Sequence, residues 1–310
     1  MPSNVNISLC VPVLNAGVAA PPFLKALSEQ TLVVDRFLAI DSSSDDESAG
    51  LFRHAGFEVF TICRESFDHG GTRRLAASLC AEADILVLLT QDSVLAEPDA
   101  LQRLVEPFAD PQVAAVYGRQ LPRPFAGAIE AHARLFNYPA QARSRSATDT
   151  PAMGIKAAFF SNSFAAYRMT ALSEVGSFPP RCIVSEDTLV TACLLKAGWT
   201  IVYAAAAKAY HSHNYSLGQE FQRYFDIGVF HSHEPWLRQA FGRAEGEGRK
   251  FVVSELKYLW RKAPALIPLA LTRTIVKYFG YRLGVVQQWL PQSLRCRLSM
   301  QKSYWRTSQS

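Results

Sequence analysis

The sequence predicts an α/β protein built on a mostly parallel sheet with helices on both faces, and three observations carry that prediction. The run Ile85-Leu86-Val87-Leu88-Leu89 is uninterrupted aliphatic, as a strand buried on both faces of a parallel sheet requires. From residue 6 to residue 118 such runs alternate with helix-like segments across short loops, the order of βαβ units. The runs also end abruptly in polar residues, at Asn15, at Asp41-Ser42-Ser43 and at Thr90-Gln91-Asp92. Ligands of open α/β sheets bind at the carboxyl ends of the strands. Pro12–Asn15, Asp41–Ser43 and Asp92 are therefore expected on one edge, around a nucleotide-sized groove. A carboxylate there is placed to hold a divalent metal against phosphate oxygens, although Asp92 taken alone reads more simply as the cap of a turn.

Residues 6–15 read as a first strand ending in a turn, followed by a helix over 22–30 and a strand over 36–40 that stops at Asp41. The polar loop 41–46 reads nearly as well as a solvated N-cap cluster. A helix to His54 and a short strand over 57–62 follow. The Gly-rich turn Phe67-Asp68-His69-Gly70-Gly71-Thr72-Arg73-Arg74 then opens a helix over 75–83. Glycines before a helix let backbone N–H groups approach phosphate, and Arg73 would add a fork of donors. A bare Gly-Gly is weak support for that.

Beyond Asp92 come a helix over 99–108, a strand over 113–118 and a polar, irregular stretch over 119–150. Residues 159–168 read as a partly buried strand, and the polar Ser161-Asn162-Ser163 in its middle suggests the wall of a site. A helix over 169–175 stops at Gly176. The next helix, 184–198, opens with Glu186 and Asp187. Acids in a first turn complement the helix dipole; alternatively, one of them is aimed into the groove to take a proton. A strand over 200–203 leads to Tyr210-His211-Ser212-His213-Asn214-Tyr215. If that segment is extended, His211 and His213 point to the same side. His231 and His233 repeat the spacing in a helical region.

Five motifs lie in order between residues 5 and 220: Val11-Pro12-Val13-Leu14-Asn15, Phe67-Asp68-His69-Gly70-Gly71-Thr72-Arg73, Leu89-Thr90-Gln91-Asp92, Ser185-Glu186-Asp187 and Tyr210-His211-Ser212-His213-Asn214-Tyr215-Ser216. Together they resemble the inverting glycosyltransferases of the GT-A fold, a Rossmann-like nucleotide-diphospho-sugar transferase architecture, and within them the bacterial rhamnosyltransferases. By that resemblance Asp41 bonds the nucleobase, Pro12 and Asn15 line its pocket, and Arg73 lies near base and phosphate. Ser43, Gly71 and Gln91 complete the nucleotide-binding set. Asp92 holds Mg²⁺ or Mn²⁺ with His211 or His213 as further ligands, and Asp187 is the general base, with Glu186 its competitor. The donor implied is a nucleotide-diphosphate sugar, dTDP-L-rhamnose, and the acceptor a hydroxyl of a lipopolysaccharide core, O-antigen or other lipid-linked glycan. Two departures stand out. Thr90 takes the first position of the usual Asp-x-Asp, and Arg74 stands where the family commonly has Asn.

Three other readings stand beside this one: a transferase of another nucleotide hexose, a sugar nucleotidyltransferase, and a non-catalytic nucleotide- or carbohydrate-binding module. The nucleotidyltransferase is disfavoured because its Gly-rich signature should follow the first strand directly.

Charge divides the chain. Residues 1–237 carry 18 Lys and Arg against 24 Asp and Glu, whereas residues 238–310 carry 14 against 3. The first stretch is expected to be the catalytic domain. The second is expected to be a basic amphipathic helical region on an anionic membrane surface, at the inner face of the cytoplasmic membrane. Its cations (Lys257, Arg261, Lys262, Arg273, Lys277, Arg282) interleave with Tyr258, Trp260, Tyr278, Phe279, Tyr281 and Trp289. Nucleic acid is disfavoured, since nothing resembles a base-reading motif. The 6 cysteines are scattered with no C-x-x-C, as in a cytosolic protein with reduced thiols. No signal peptide is expected, and no apolar run approaches the length of a spanning helix.

Overall fold

The computed structural model describes residues 5–242 and 246–306. Among these, β1 (Ile7–Val13), β2 (Arg36–Asp41), β3 (Glu58–Thr61), β4 (Ile85–Leu89), β5 (Val94–Leu95), β6 (Val113–Leu121), β7 (Arg143–Arg145), β8 (Phe164–Arg168) and β9 (Thr200–Tyr210) form one sheet. Their spatial order is β3-β2-β1-β4-β8-β6-β9-β5, with β7 also on β9. The strands β3, β2, β1 and β4 pair in parallel, as do β6 and β9. β8 enters antiparallel between β4 and β6, and β5 and β7 run antiparallel to β9. The α/β fold expected from the sequence is borne out, with a mixed sheet.

The aliphatic run explains itself in this setting. Leu86 and Leu88 of β4 enter the core on one face with Leu38, Ile40 and Tyr167. Ile85, Val87 and Leu89 enter the other with Leu9, Val11, Phe23 and Phe52. Side chains alternate across a strand, so a strand with two dry faces has no polar position.

Four local expectations change. The helix expected over 75–83 is His69–Leu79, so Gly70 and Gly71 lie inside its first turn. Residues 161–163 form a turn, and β8 starts only at Phe164. The stretch expected to be irregular contains the end of β6, helix Ala128–Asn137 and β7. β9 runs on through Ala204–Ala207 to Tyr210, with a register shift against β6 at Gly118/Arg119. That extension positions the site, because Tyr210 pairs with Val94 and so brings His211 beside the segment that follows β4.

The border expected after residue 237 falls inside helix Pro235–Phe241. Beyond it, Phe251 and Tyr258 of helix Glu247–Lys262 pack their rings on His132 of helix Ala128–Asn137. Helix Ile267–Val285 crosses helix Leu217–His233 backbone to backbone. A Cβ on Gly284 would lie 2.0 Å from the Phe225 carbonyl oxygen, and one on Gly228 2.3 Å from that of Tyr281. Among the described residues no helix is long and apolar enough to cross a membrane.

Candidate active site

Asp92, His211 and His213 converge: one ligand atom from each lies within 4.8 Å of the others. Asp92 Oδ2 is 3.4 Å from His211 Nε2 and 3.8 Å from His213 Nδ1. The His211 ring is fixed from behind, where Gln120 Oε1 of β6 lies 2.9 Å from Nδ1. With a cation bound between His211 and Asp92, an acceptor there would keep the hydrogen on Nδ1 and leave the Nε2 lone pair to coordinate. Arg134 donates to the same Gln120 oxygen at 2.7 Å, and Arg123 donates to the Asp92 carbonyl at 3.0 Å. Burial alone would raise the Asp92 pKa, but the His211 hydrogen bond and both imidazoles hold it well below the usual carboxylate range. Burial pushes His213 down to about 4, which keeps its ring neutral. An ionised carboxylate with two imidazole rings beside it is a donor set that fits a divalent cation. His231 and His233 belong elsewhere: they face Tyr281 and Gln287.

The second acidic group sits at the start of helix Glu186–Lys196. Ser185, the preceding residue, is left-handed at φ 63°, one of several non-glycine positions in that region of backbone space, with Asn15 (φ 47°) and Ser43 (φ 55°). Glu186 is 5% exposed. It lies 3.0 Å from Arg73 Nη1 and accepts from Asn162 Nδ2 at 3.0 Å. Burial would raise its pKa, but Arg73, His69 and Asn162 together lower it. Asp187 has no such partner. It accepts from the Thr188 N–H at 2.7 Å and the Asn162 N–H at 3.3 Å. Burial, and then the charge of Glu186, push it up to about 7. Tyr167 donates to Asn162 Oδ1 at 2.7 Å and fixes that residue. Gln120 in turn donates to Ser161 Oγ at 2.8 Å. The turn 161–163 thus ties the metal-type cluster to the carboxylate pair.

The remaining expected residues divide into two groups. Pro12, Asn15, Asp41 and Ser43 share one edge, since Pro12 pairs with Ile40 and Val13 with Asp41. Asp41 accepts from Ser44 Oγ at 2.6 Å, Ser44 Oγ accepts from the Asn15 N–H at 2.9 Å, and Ser43 donates to the Ile62 carbonyl at 2.8 Å. Gln91 is a strut here, bonded to both the N–H and the C=O of Leu14 at 2.8 and 3.0 Å. Gly71 and Arg73 have partners within the protein. The Gly71 N–H is already taken by the Asp68 cap at 2.8 Å, and Arg73 is turned inward onto Glu186. The glycines are small for packing reasons: a Cβ on Gly70 would lie 1.8 Å from the Pro179 carbonyl oxygen and one on Gly71 2.2 Å from Asp68 Oδ2. Arg74 donates to the carbonyls of Phe178 and Gly176, both at 2.7 Å, and so pins that loop. Gln120 carries no local signal of its role, because it meets Ser161 and His211 from another strand; Asn162 and His69 stand out only as parts of a polar stretch and of a Gly-rich motif, without the partners that define them.

Residues 51–225 match the family model described as glycosyltransferase like family 2. The O-antigen chain rhamnosyltransferase RfbN of Salmonella typhimurium is 45% identical over 306 residues, which is 98% of each chain. The O-antigen chain rhamnosyltransferase WbaN of Salmonella anatum is 43% identical over 310 residues, 100% of this chain and 98% of that one. Among solved structures, a mannosyltransferase from Pyrobaculum calidifontis in complex with GDP-Man and Mn²⁺ superposes with a TM-score of 0.60 at 17% identity, covering 97% of this chain and 88% of that one. TarS of S. aureus, residues 1–349 with UDP-GlcNAc, gives 0.55 at 13% identity, covering 92% and 91%. With the family model spanning more than half of it and two full-length relatives above 40% identity, the chain belongs to the family 2-like glycosyltransferases and has their GT-A fold.

Proposed function

We propose that this glycosyltransferase moves L-rhamnose from dTDP-L-rhamnose to a hydroxyl of an O-antigen or other lipid-linked glycan, with inversion at the anomeric carbon. The observation that carries the reading is full-length similarity to two O-antigen chain rhamnosyltransferases. The site chemistry supports it. Asp187, raised to about 7, takes the proton of the acceptor hydroxyl. That oxygen forms a bond to the anomeric carbon as the bond to the nucleotide diphosphate breaks on the opposite face, so a β-linked donor yields an α-rhamnoside. Asp92, His211 and His213 would hold Mg²⁺ or Mn²⁺, which when bound neutralises the departing diphosphate. Asp41, Asn15, Pro12 and Ser43 line the base side of the groove. The test supplies the purified enzyme and a lipid-linked acceptor with dTDP-L-rhamnose, GDP-mannose or UDP-GlcNAc in turn. Released nucleotide and the anomeric configuration of the product are measured. Turnover is expected with dTDP-L-rhamnose and an α-linked product; preference for either other donor overturns the assignment.

The enzyme works from the inner face of the cytoplasmic membrane in this reading, attached by its last helices. Two of the expected cations face the wrong way for this, since Arg273 and Lys277 turn inward onto the buried Glu220 at 3.0 and 3.4 Å. What remains outward supports attachment. Ile275, Phe279, Trp260 and Trp289 are 56, 60, 73 and 80% exposed, and Lys257, Arg261, Lys262 and Arg282 are exposed among them. Aromatic anchors rimmed by cations suit an anionic headgroup boundary. In vesicle flotation the protein is expected to rise with anionic but not neutral vesicles, and Trp260→Ser with Trp289→Ser to lower the bound fraction several-fold. Equal flotation of wild type and double variant rules this surface out.

A further inference from the structure

The end of the described chain reaches back to the carboxylate pair. Asp226, in helix Leu217–His233, is 0% exposed. It accepts from Ser299 Oγ at 2.6 Å and from the Met300 N–H at 3.0 Å, and Ser299 Oγ accepts from the Gln301 N–H at 2.9 Å. A buried carboxylate committed to these residues holds the turn after helix Gln292–Leu298 in one place. What the turn delivers is Gln301, whose side-chain nitrogen lies 3.4 Å from His69 Nε2.

The other side of that ring faces Arg73. His69 Nδ1 is 3.3 Å from Arg73 Nη1, which also donates to the His69 carbonyl at 3.1 Å and lies 3.0 Å from Glu186 Oε1. A guanidinium has only hydrogens to offer, so Nδ1 must accept and the ring hydrogen must sit on Nε2. Only an acceptor satisfies that N–H, so the carboxamide has to be turned end for end, with its oxygen toward Nε2; the two ends of an amide are told apart by their partners. Burial, pushing the His69 pKa down to about 4, keeps the ring neutral as this arrangement needs.

We propose that Gln301 is a positioning residue for the transfer: held by Asp226 and Ser299, it locks His69 in the neutral Nε2–H tautomer, and that ring holds Arg73 on Glu186. The proposal rests on Asp187 being the base. With Arg73 in place Glu186 stays ionised, and its charge makes Asp187 the stronger proton acceptor. With Arg73 loosened, both acids lose a charge that lowers them, Glu186 can take a proton, and the two then titrate as a pair rather than as a fixed charge beside a base. The other titratable groups facing the pair are Tyr167 of β8, Tyr138 after helix Ala128–Asn137, and Cys182 in the preceding loop, while Arg223 faces His69 from helix Leu217–His233.

The test compares Gln301→Leu, Gln301→Glu and Ser299→Ala in the full chain, with Asp187→Asn assayed beside them. Gln301→Leu is expected to lower kcat on the order of tenfold and leave KM for the nucleotide sugar within about twofold, with the acid limb of the kcat profile displaced from its wild-type position. Gln301→Glu, which keeps an acceptor oxygen at the same reach, restores most of kcat. Ser299→Ala gives the same shift at smaller size. Independently of turnover, ring-nitrogen NMR of the wild-type enzyme is expected to show His69 in the Nε2–H tautomer. A wild-type kcat and acid limb in Gln301→Leu, a Gln301→Glu enzyme as slow as the Leu variant, or His69 in the other tautomer overturns the proposal. If Gln301→Leu fails to fold, judged by Tm, the wild-type tautomer and Ser299→Ala still decide. Full turnover by Asp187→Asn would instead sink the base assignment, and the tautomer measurement would stand apart from it.

Discussion

Asp92 and Asp187 are the same side chain, each removed from most of its water, and their surroundings drive them in opposite directions. Burial raises both. At Asp92 two imidazoles and a hydrogen bond from His211 outweigh it, and the carboxylate is held ionised well below its usual range. At Asp187 the nearest charge is another carboxylate, Glu186, and the group is lifted to about 7. The difference teaches that the neighbouring charge, more than depth, selects the task. The role proposed for Asp92, a metal ligand, needs an anion at every working pH, whereas the role proposed for Asp187, a base, needs a group that can take a proton and give it back. Glu186 makes the contrast sharper. It is the more buried acid of the pair, yet Arg73 holds it ionised, so it serves as the fixed charge that tunes its neighbour.

Three experiments bear on this contrast. The largest effect is expected from Asp187→Asn, which keeps the fold and donor binding but lowers kcat by about 10²–10⁴. The base acts deprotonated, so wild-type kcat should fall roughly tenfold per pH unit below about 7. That limb should be absent from the residual activity of the variant, and a limb that survives the substitution belongs to another group. Next comes Asp92→Ala, expected to weaken metal-dependent binding of the nucleotide sugar by about 100-fold while leaving the position of the acid limb alone, as titration calorimetry and the pH profile would show. A moved limb would mean that the two acids are not independent. The smallest is Gln120→Leu, which frees the His211 tautomer. Metal affinity should drop by about tenfold, read as the Mn²⁺ concentration for half-maximal activity, with kcat at saturating metal nearly kept.

The sheet was legible wherever its strands were apolar on both faces. The runs at β1, β2, β4 and β6 announce themselves, and their polar ends point to one edge of the sheet. Less legible was anything set by a partner far along the chain. β8 pairs antiparallel with both β4 and β6, and nothing in Phe164–Arg168 states a direction. Gly70 and Gly71 were read for phosphate, but Pro179 and Asp68 are what crowd them. Gln120, an ordinary strand residue in the sequence, gains its role from His211, 91 residues later. Arg273 and Lys277 looked like surface cations because Glu220, the acid that draws them inward, sits on a different helix. Short motifs record which chemistry is present; which hydrogen bonds each group has left to offer emerges only from packing.

The antiparallel entry of β8 has a consequence for the chain as it is being made. β3, β2, β1 and β4 are neighbours in space and early in sequence, so this half of the sheet can assemble as soon as Leu89 is clear of the ribosome. The partner that covers the far side of β4 is Phe164–Arg168, 75 residues later. At the usual synthesis speed the most aliphatic strand of the protein is therefore a bare edge for roughly 4–15 s. An uncovered edge without charge or proline invites pairing with another chain. Yield in a heterologous host should thus depend on chaperone supply and growth temperature during that interval, before either acid has reached its working place.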